Sequence, residues 1–325
     1  MRKSLKDNSG VALILTILII GLIVSLTLQF NNSMRSELYA AANLKDGIRL
    51  GSIARSGFNY ALAILSKDAS ENDFDSLHET WADSESLSDS SVSMFEGGRF
   101  KVRITDHSGK IQINQLVDQE GNYNEEQKGV LSRLLNSNDF NIDPEEVDDI
   151  LDSIKDWIDP DDEPTRFGAE KSYYQTLERP HSCRNALLES LEEMLLIKGI
   201  TEDIFYGTEE YPGISGYLTI HGDGRININT ADPVVLGAIS DQMNEEMVQA
   251  MIAYRENEEA ILNDSQWYSE VPGMNHVNIV PALLTTSSKY FQVEVEGIYD
   301  DRSKNIRGQV LRMEGQFRIL SWETL

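Results

Sequence analysis

The chain has 325 residues, and 54 Asp and Glu against 28 Lys and Arg leave a formal net charge of −26. That much negative charge excludes a phosphate backbone as a general ligand, so nucleic-acid binding drops out of the functions to consider. The one cysteine, Cys183, excludes an internal disulfide and a multi-thiolate zinc site. The length allows one membrane-proximal domain plus an insertion or second lobe.

Val11 to Leu28 reads VALILTILIIGLIVSLTL, with no charge, and is long enough to cross a bilayer as a helix. Arg2, Lys3 and Lys6 against Asp7 place +2 ahead of it. The N-terminus therefore stays cytoplasmic, and the remainder, at about −28, faces the other side. TLQFNNSMRS stands where a secretory signal would end, without a small-residue cleavage site, so the helix is expected to be retained. The short polar leader, residues 1–10, ends in Gly10 directly before Val11. It resembles the leader of type IV prepilins and pseudopilins, which a membrane peptidase cuts after that glycine; an uncleaved signal anchor is the alternative.

Leu38, Ala41, Leu44, Ile48, Ala54, Phe58, Ala61, Leu62 and Leu65 continue mostly at three- or four-residue spacing without a proline. The pattern predicts one helix over 11–66, on the order of 80 Å long at 1.5 Å per residue, half in lipid and half packed on a soluble domain. The fifth position after Gly10 is Leu15, where prepilins and most pseudopilins carry a glutamate. A carboxylate in lipid needs a positive partner, understood in that family to be the amine of a neighbouring subunit. A subunit with Leu15 cannot make that pairing and suits the end of a filament.

Residues 67–116 are expected to hold an acidic linker and the first strands of a sheet. From Asp68 to Gly98 the composition reads as a solvated connector without regular structure, anchored by Phe74, Leu77 and Trp81. Arg99 to Asp106 alternates, DHSG reads as a turn, and Lys110 to Asn114 reads as the return strand of a hairpin. Residues 287–325 alternate again and supply the closing strands, leaving 117–286 as an inserted helical domain. That domain is expected to contain an internal repeat, with chance similarity as the alternative: DHSGKIQINQL (106–116) matches HGDGRININTA (221–231). EEVDDILDSIKDW (145–157) corresponds to EEMVQAMIAYREN (245–257), and SLEEMLLIKGI (190–200) to SQWYSEVPGM (265–274), the last pair read as helices ending at glycine. The first copy carries about 30 extra residues, a length that in ordered loops is usually functional.

That extra loop concentrates Asp156, Asp159, Asp161, Asp162, Glu163 and Glu170, with Pro160 and Pro164 blocking helix. A hard cation such as calcium would relieve the repulsion; a solvated acidic loop is the alternative. The spacing is not that of an EF-hand. No GxGxxG, GxxxxGK or HExxH occurs and the five histidines stand singly, so no catalytic constellation is expected. The block ININTADPVVLGAI with YREN and EVPGM resembles a helix-hairpin-helix module, but Glu245, Glu246, Glu256, Glu258 and Glu259 around it favour protein contact over DNA.

The Gly10 leader, Leu15, DWIDPDDE followed by GAEKSYY, and GRININTA together resemble the type II secretion system protein K family, the large minor pseudopilin. The resemblance implies an α+β pseudopilin fold: a long N-terminal transmembrane helix on an antiparallel sheet, with a large inserted all-α helix-hairpin-helix-like domain. It implies calcium in the insertion, with Asp159, Asp161, Asp162, Glu163 and Glu170 as candidate ligands. It further implies cleavage between Gly10 and Val11 by prepilin peptidase and a single-pass anchor in the inner membrane with the C-terminal part in the periplasm. The expected role is to cap the pseudopilus tip and help start its assembly, with other minor pseudopilins and the inner-membrane assembly platform as partners and no turnover. A minor pilin of a type IV pilus and a signal-anchored envelope adhesion protein remain the alternatives.

Overall fold

The computed structural model describes residues 9–314 and 316–325; residues 1–8 of the expected leader lie outside the described residues. In chain order the elements are α1 (Ser9–Glu71), α2 (Ser84–Asp89), β1 (Gly98–Asp106), β2 (Ile111–Gln112), α3 (Glu125–Leu135), α4 (Pro144–Ile158) and α5 (Lys171–Tyr174). Then follow α6 (Glu202–Tyr206), β3 (Leu218–Thr219), β4 (Ile226–Asn227), α7 (Pro233–Ala238), α8 (Glu245–Arg255), β5 (Leu284–Thr285), β6 (Tyr290–Tyr299), β7 (Arg302–Met313) and β8 (Gln316–Thr324).

α1 begins before and ends after the expected 11–66, because nothing in Lys67–Glu71 interrupts it: it holds no proline or glycine. Its most apolar stretch is wholly exposed and is long and apolar enough to cross a membrane. From Leu50 the helix turns one face to a sheet, burying Ile53, Ala54, Phe58, Ala61 and Leu65 against Phe100, Val102, Phe291, Val293 and Val310. The approach is close enough to require glycine. A Cβ on Gly57 would stand 2.7 Å from Val295 Cγ1, and one on Gly297 2.8 Å from the Ala54 nitrogen.

The sheet is antiparallel in the order β1-β6-β7-β8. The free edge of β1 is sealed by the linker. Ser91 Oγ bonds both the N–H and the C=O of Phe100, and Ser88 Oγ receives the N–H of Val102. The connector expected to be irregular thus contains α2 and a 3₁₀ turn, Ser90–Ser93, because its serines find sheet-edge partners. Trp81 and Phe74 pack inward, whereas Leu77 is exposed and anchors nothing.

The expected hairpin of 99–106 with 110–114 does not form. β1 pairs with β6, Asp106 opposite Phe291, and β2 pairs in parallel with β3 far along the chain. Two residues of ladder suffice for β2 because Ile111 and Ile113 are buried in the helical domain's core, which outweighs a local turn. Residues 111–116 therefore pack with the helical domain, which leaves the sheet after Asp106 and returns at Tyr290 between neighbouring strands.

Inside the helical domain the two repeat copies close in the same way. Ile111–Gln112 pairs in parallel with Leu218–Thr219, and Ile226–Asn227 with Leu284–Thr285. The third segments expected as helices are 3₁₀ turns, Leu191–Leu196 and Trp267–Glu270, followed by Gly199 at φ +87° and Gly273 at φ +89°. An asparagine latches each copy. Asn114 bonds Leu188 N and O and Ile220 O; Asn229 bonds Leu262 O and the Trp267 indole and reaches out to Asp75 O.

Candidate metal centre

α4 carries one wall of the acidic loop. Asp143 caps it by accepting from Glu145 N, Pro144 starts it, and Val147, Ile150, Leu151 and Ile154 bury its apolar face. The opposite positions, one turn apart, are Asp152 and Asp156, and Asp159 ends the helix. Asp152 accepts from the Tyr123 hydroxyl at 2.6 Å and from Phe167 N at 3.1 Å. Asp156 accepts from Thr165 N at 2.9 Å. These buried carboxylates fold the loop back over α4, and Gly168 permits it: a Cβ there would fall 2.0 Å from Asp156 Oδ2. Tyr174 of α5 then wedges edge-on against Trp157, ring centroids 5.2 Å apart, and sets Glu170 beside the end of α4.

Asp159, Asp161 and Glu170 bring one carboxylate oxygen each within 4.8 Å of one another. Of the five expected ligands, the other two lie elsewhere. Glu163 is exposed, with its N–H bonded to Asp161, and Asp162 is exposed and accepts from Asn185 at 3.2 Å. Lys155 Nζ holds Asp159 Oδ2 at 2.5 Å, while Asp159 Oδ1 and both oxygens of Glu170 are buried without a hydrogen-bond partner. Burial pushes Asp159 and Asp156 above the usual carboxylate range. Burial first, then the charges of Asp156 and Asp159, push Glu170 up to about 7. One ammonium among these carboxylates leaves the cluster short of positive charge, and buried oxygens without donors are costly. The residues present fit a hard divalent cation, which would accept the orphaned oxygens directly.

An open groove of about 570 Å3 lies away from this cluster, on the outer face of the sheet. Its charges pair across the strands, Lys101 with Glu296 at 3.3 Å and Arg307 with Glu294 at 2.9 Å. Sequence reasoning missed Asp152 as a loop fastener. It also missed a second carboxylate group at Asp68, Asp75 and Glu79. The acidic composition of the linker is the one signal in the sequence for this group, and composition alone does not tell a buried carboxylate from a solvated one.

A membrane-length helix packed on a four-stranded antiparallel sheet, with a helical domain inserted between neighbouring strands, defines a pseudopilin-type fold of enlarged form. Residues 109–211 match the family model described as type II secretion system (T2SS), protein K. A protein K from Pseudomonas aeruginosa PAO1 is 24% identical, covering 97% of this chain and 92% of its own. An Escherichia coli K12 relative, itself provisionally assigned as a type II secretion system protein K, is 25% identical over 94% of this chain and 93% of its own. A chain from the crystal structure of the GspK-GspI-GspJ complex of the enterotoxigenic Escherichia coli type 2 secretion system shares the fold. It aligns at TM-score 0.70 and 19% identity, covering 88% of this chain and 99% of that one. Over almost its whole length the chain is thus similar to protein K of type II secretion systems.

Proposed function

We propose that this subunit ends the periplasmic pseudopilus, helping to start its assembly and capping its tip. One observation carries the reading: α1 has no carboxylate before Glu37, and Leu15, 58% exposed, occupies the position where an acid would pair with a subunit beyond. An apolar helix of this length without internal partners is stable only in lipid or against sister helices. Other minor pseudopilins supply those helices; the related chain of known structure comes from a complex of three such proteins. The role is mechanical and needs no turnover. Prepilin peptidase cuts between Gly10 and Val11, the assembly platform receives the anchored subunit, and the sheet and helical domain face the periplasm. Calcium at Asp159, Asp161 and Glu170 orders the loop over 156–171, supported by the orphaned oxygens there.

Overexpression of the chain should shorten pseudopili, because caps terminate filaments, and unchanged length would refute the capping role. Intact-mass analysis of the membrane form should give an N-terminus at Val11; retention of residues 1–10 would refute the processing.

A further inference from the structure

We infer that Asp68, Asp75 and Glu79 form a second divalent-cation site, one that fastens the helical domain to the end of the membrane-anchored helix. Asp68 lies in the last turn of α1, while Asp75 and Glu79 lie in the linker that follows, and one oxygen of each falls within 4.8 Å of the others. The cluster is built inward. Asp75 is 1% exposed and Asp68 8%.

Each carboxylate in the linker is gripped through one oxygen and left free at the other. Asp75 Oδ2 accepts from Ser288 N at 2.6 Å and from Arg312 at 2.5 Å, while Oδ1 is buried with no partner. Glu79 Oε2 accepts from the Trp81 indole at 2.6 Å, while Oε1 is buried with no partner. Asp68 is oriented by Asn72 at 3.2 Å and Arg312 at 3.4 Å. Outer donors that fix one oxygen and present the other are the arrangement by which proteins prepare metal ligands. Charge agrees with this. Three carboxylates face one guanidinium, and no other Lys or Arg among the described residues forms an ion pair with them. A divalent cation brings the group to neutrality, with water completing an all-oxygen shell.

The position gives the ion a task. Asp75 N bonds Thr286 O, Asp75 O receives Asn227 and Asn229 from the second repeat copy, and the His78 ring bonds Arg255 O. A cation held here ties the end of α1 to that copy and fixes how the inserted domain sits on its rod.

The test uses the full chain in detergent micelles carrying Glu170→Gln, which disables the loop cluster. Terbium replaces calcium at oxygen sites and emits when a nearby indole is excited, and Trp81 touches Glu79. Emission that calcium displaces, and that Glu79→Gln weakens at least tenfold in half-saturating terbium, is the expected result. Glu79→Gln keeps an oxygen for the Trp81 bond, so folding should survive. Trp81→Phe should weaken the emission, leaving what Trp267 sensitises through its place beside Asn229, yet retain one bound calcium by equilibrium dialysis. Absence of calcium-displaceable emission in the Glu170→Gln chain, or emission indifferent to Glu79→Gln, would overturn the site and leave a cluster balanced by Arg312 and protons.

Discussion

His107 gives the sharpest test of how the helical domain is joined to the sheet. It is the first residue beyond β1, 5% exposed, with its N–H on Tyr290 O at 2.8 Å and Nδ1 beside Thr219 Oγ1 at 3.4 Å. Nε2 is buried without a partner. Burial, reinforced by the positive charges of Lys110 and His221, draws the imidazole pKa down to about 3. The unfolded chain takes up this proton near the ordinary value of about 6.5 and the native chain does not. Stability from this group is therefore complete above pH 6.5 and is lost as pH falls toward 3. At pH 5 the loss amounts to about 2 kcal/mol by proton linkage, or about 4–8 °C in Tm for a domain of this size. Without a bound cation, Asp75, at about 6, and Glu79, at about 7, titrate in the opposite sense, their raised values favouring the folded state as pH falls, so the scans are run in chelator. The measurement is thus a difference: thermal unfolding of the wild type and His107→Gln at pH 7.5 and pH 5, followed by near-UV circular dichroism. The variant should lose about 2 kcal/mol less than the wild type on acidification. Parallel losses would show that the imidazole is protonated in the fold and that the burial argument is wrong.

Chelation should lower the melting temperature of the helical domain, since calcium at a hundred times its Kd adds about 2.7 kcal/mol per site; Glu170→Gln should remove the share of that response owed to the loop cluster in the same calorimetric scan, leaving the share owed to Asp68, Asp75 and Glu79. At the contact of helix and sheet, Gly57→Val should cost about 1–3 kcal/mol in denaturant titration, because its side chain meets Val295 and Phe100. Gly47→Ala has open space on the same helix and should instead gain about 0.5–1 kcal/mol. Asn229→Ala strands Leu262 O and the Trp267 indole, while Asp75 O keeps Asn227, and should cost at least about 2 kcal/mol, more than Asn114→Ala at its half-buried counterpart. Equal losses would mean that the two latches are equivalent despite their different burial.

The sequence by itself determined what local pattern can determine. An uncharged run from Val11 to Leu28 is long and apolar enough to cross a membrane as a helix, and apolar spacing through Leu65 keeps that helix going. The motifs at 106–116 and 221–231 match in sequence because both segments turn isoleucines inward and use an asparagine as a latch. Density of Asp and Glu after Trp157 marked the loop. Only the tertiary structure decided which of those carboxylates meet. Asp159 and Glu170 converge because Tyr174 docks on Trp157 and Gly168 lets the chain cross α4, and neither contact follows from spacing. The same holds for β1, which a local turn would have paired with its neighbour in sequence. Burial of Ile111 and Ile113 in a distant core and the long ladder with β6 outweighed that turn. Serines and acids of the linker looked hydrated because composition counts polar groups without their partners. Ser88, Ser91 and Asp75 found those partners on a sheet edge and on Arg312, far along the chain.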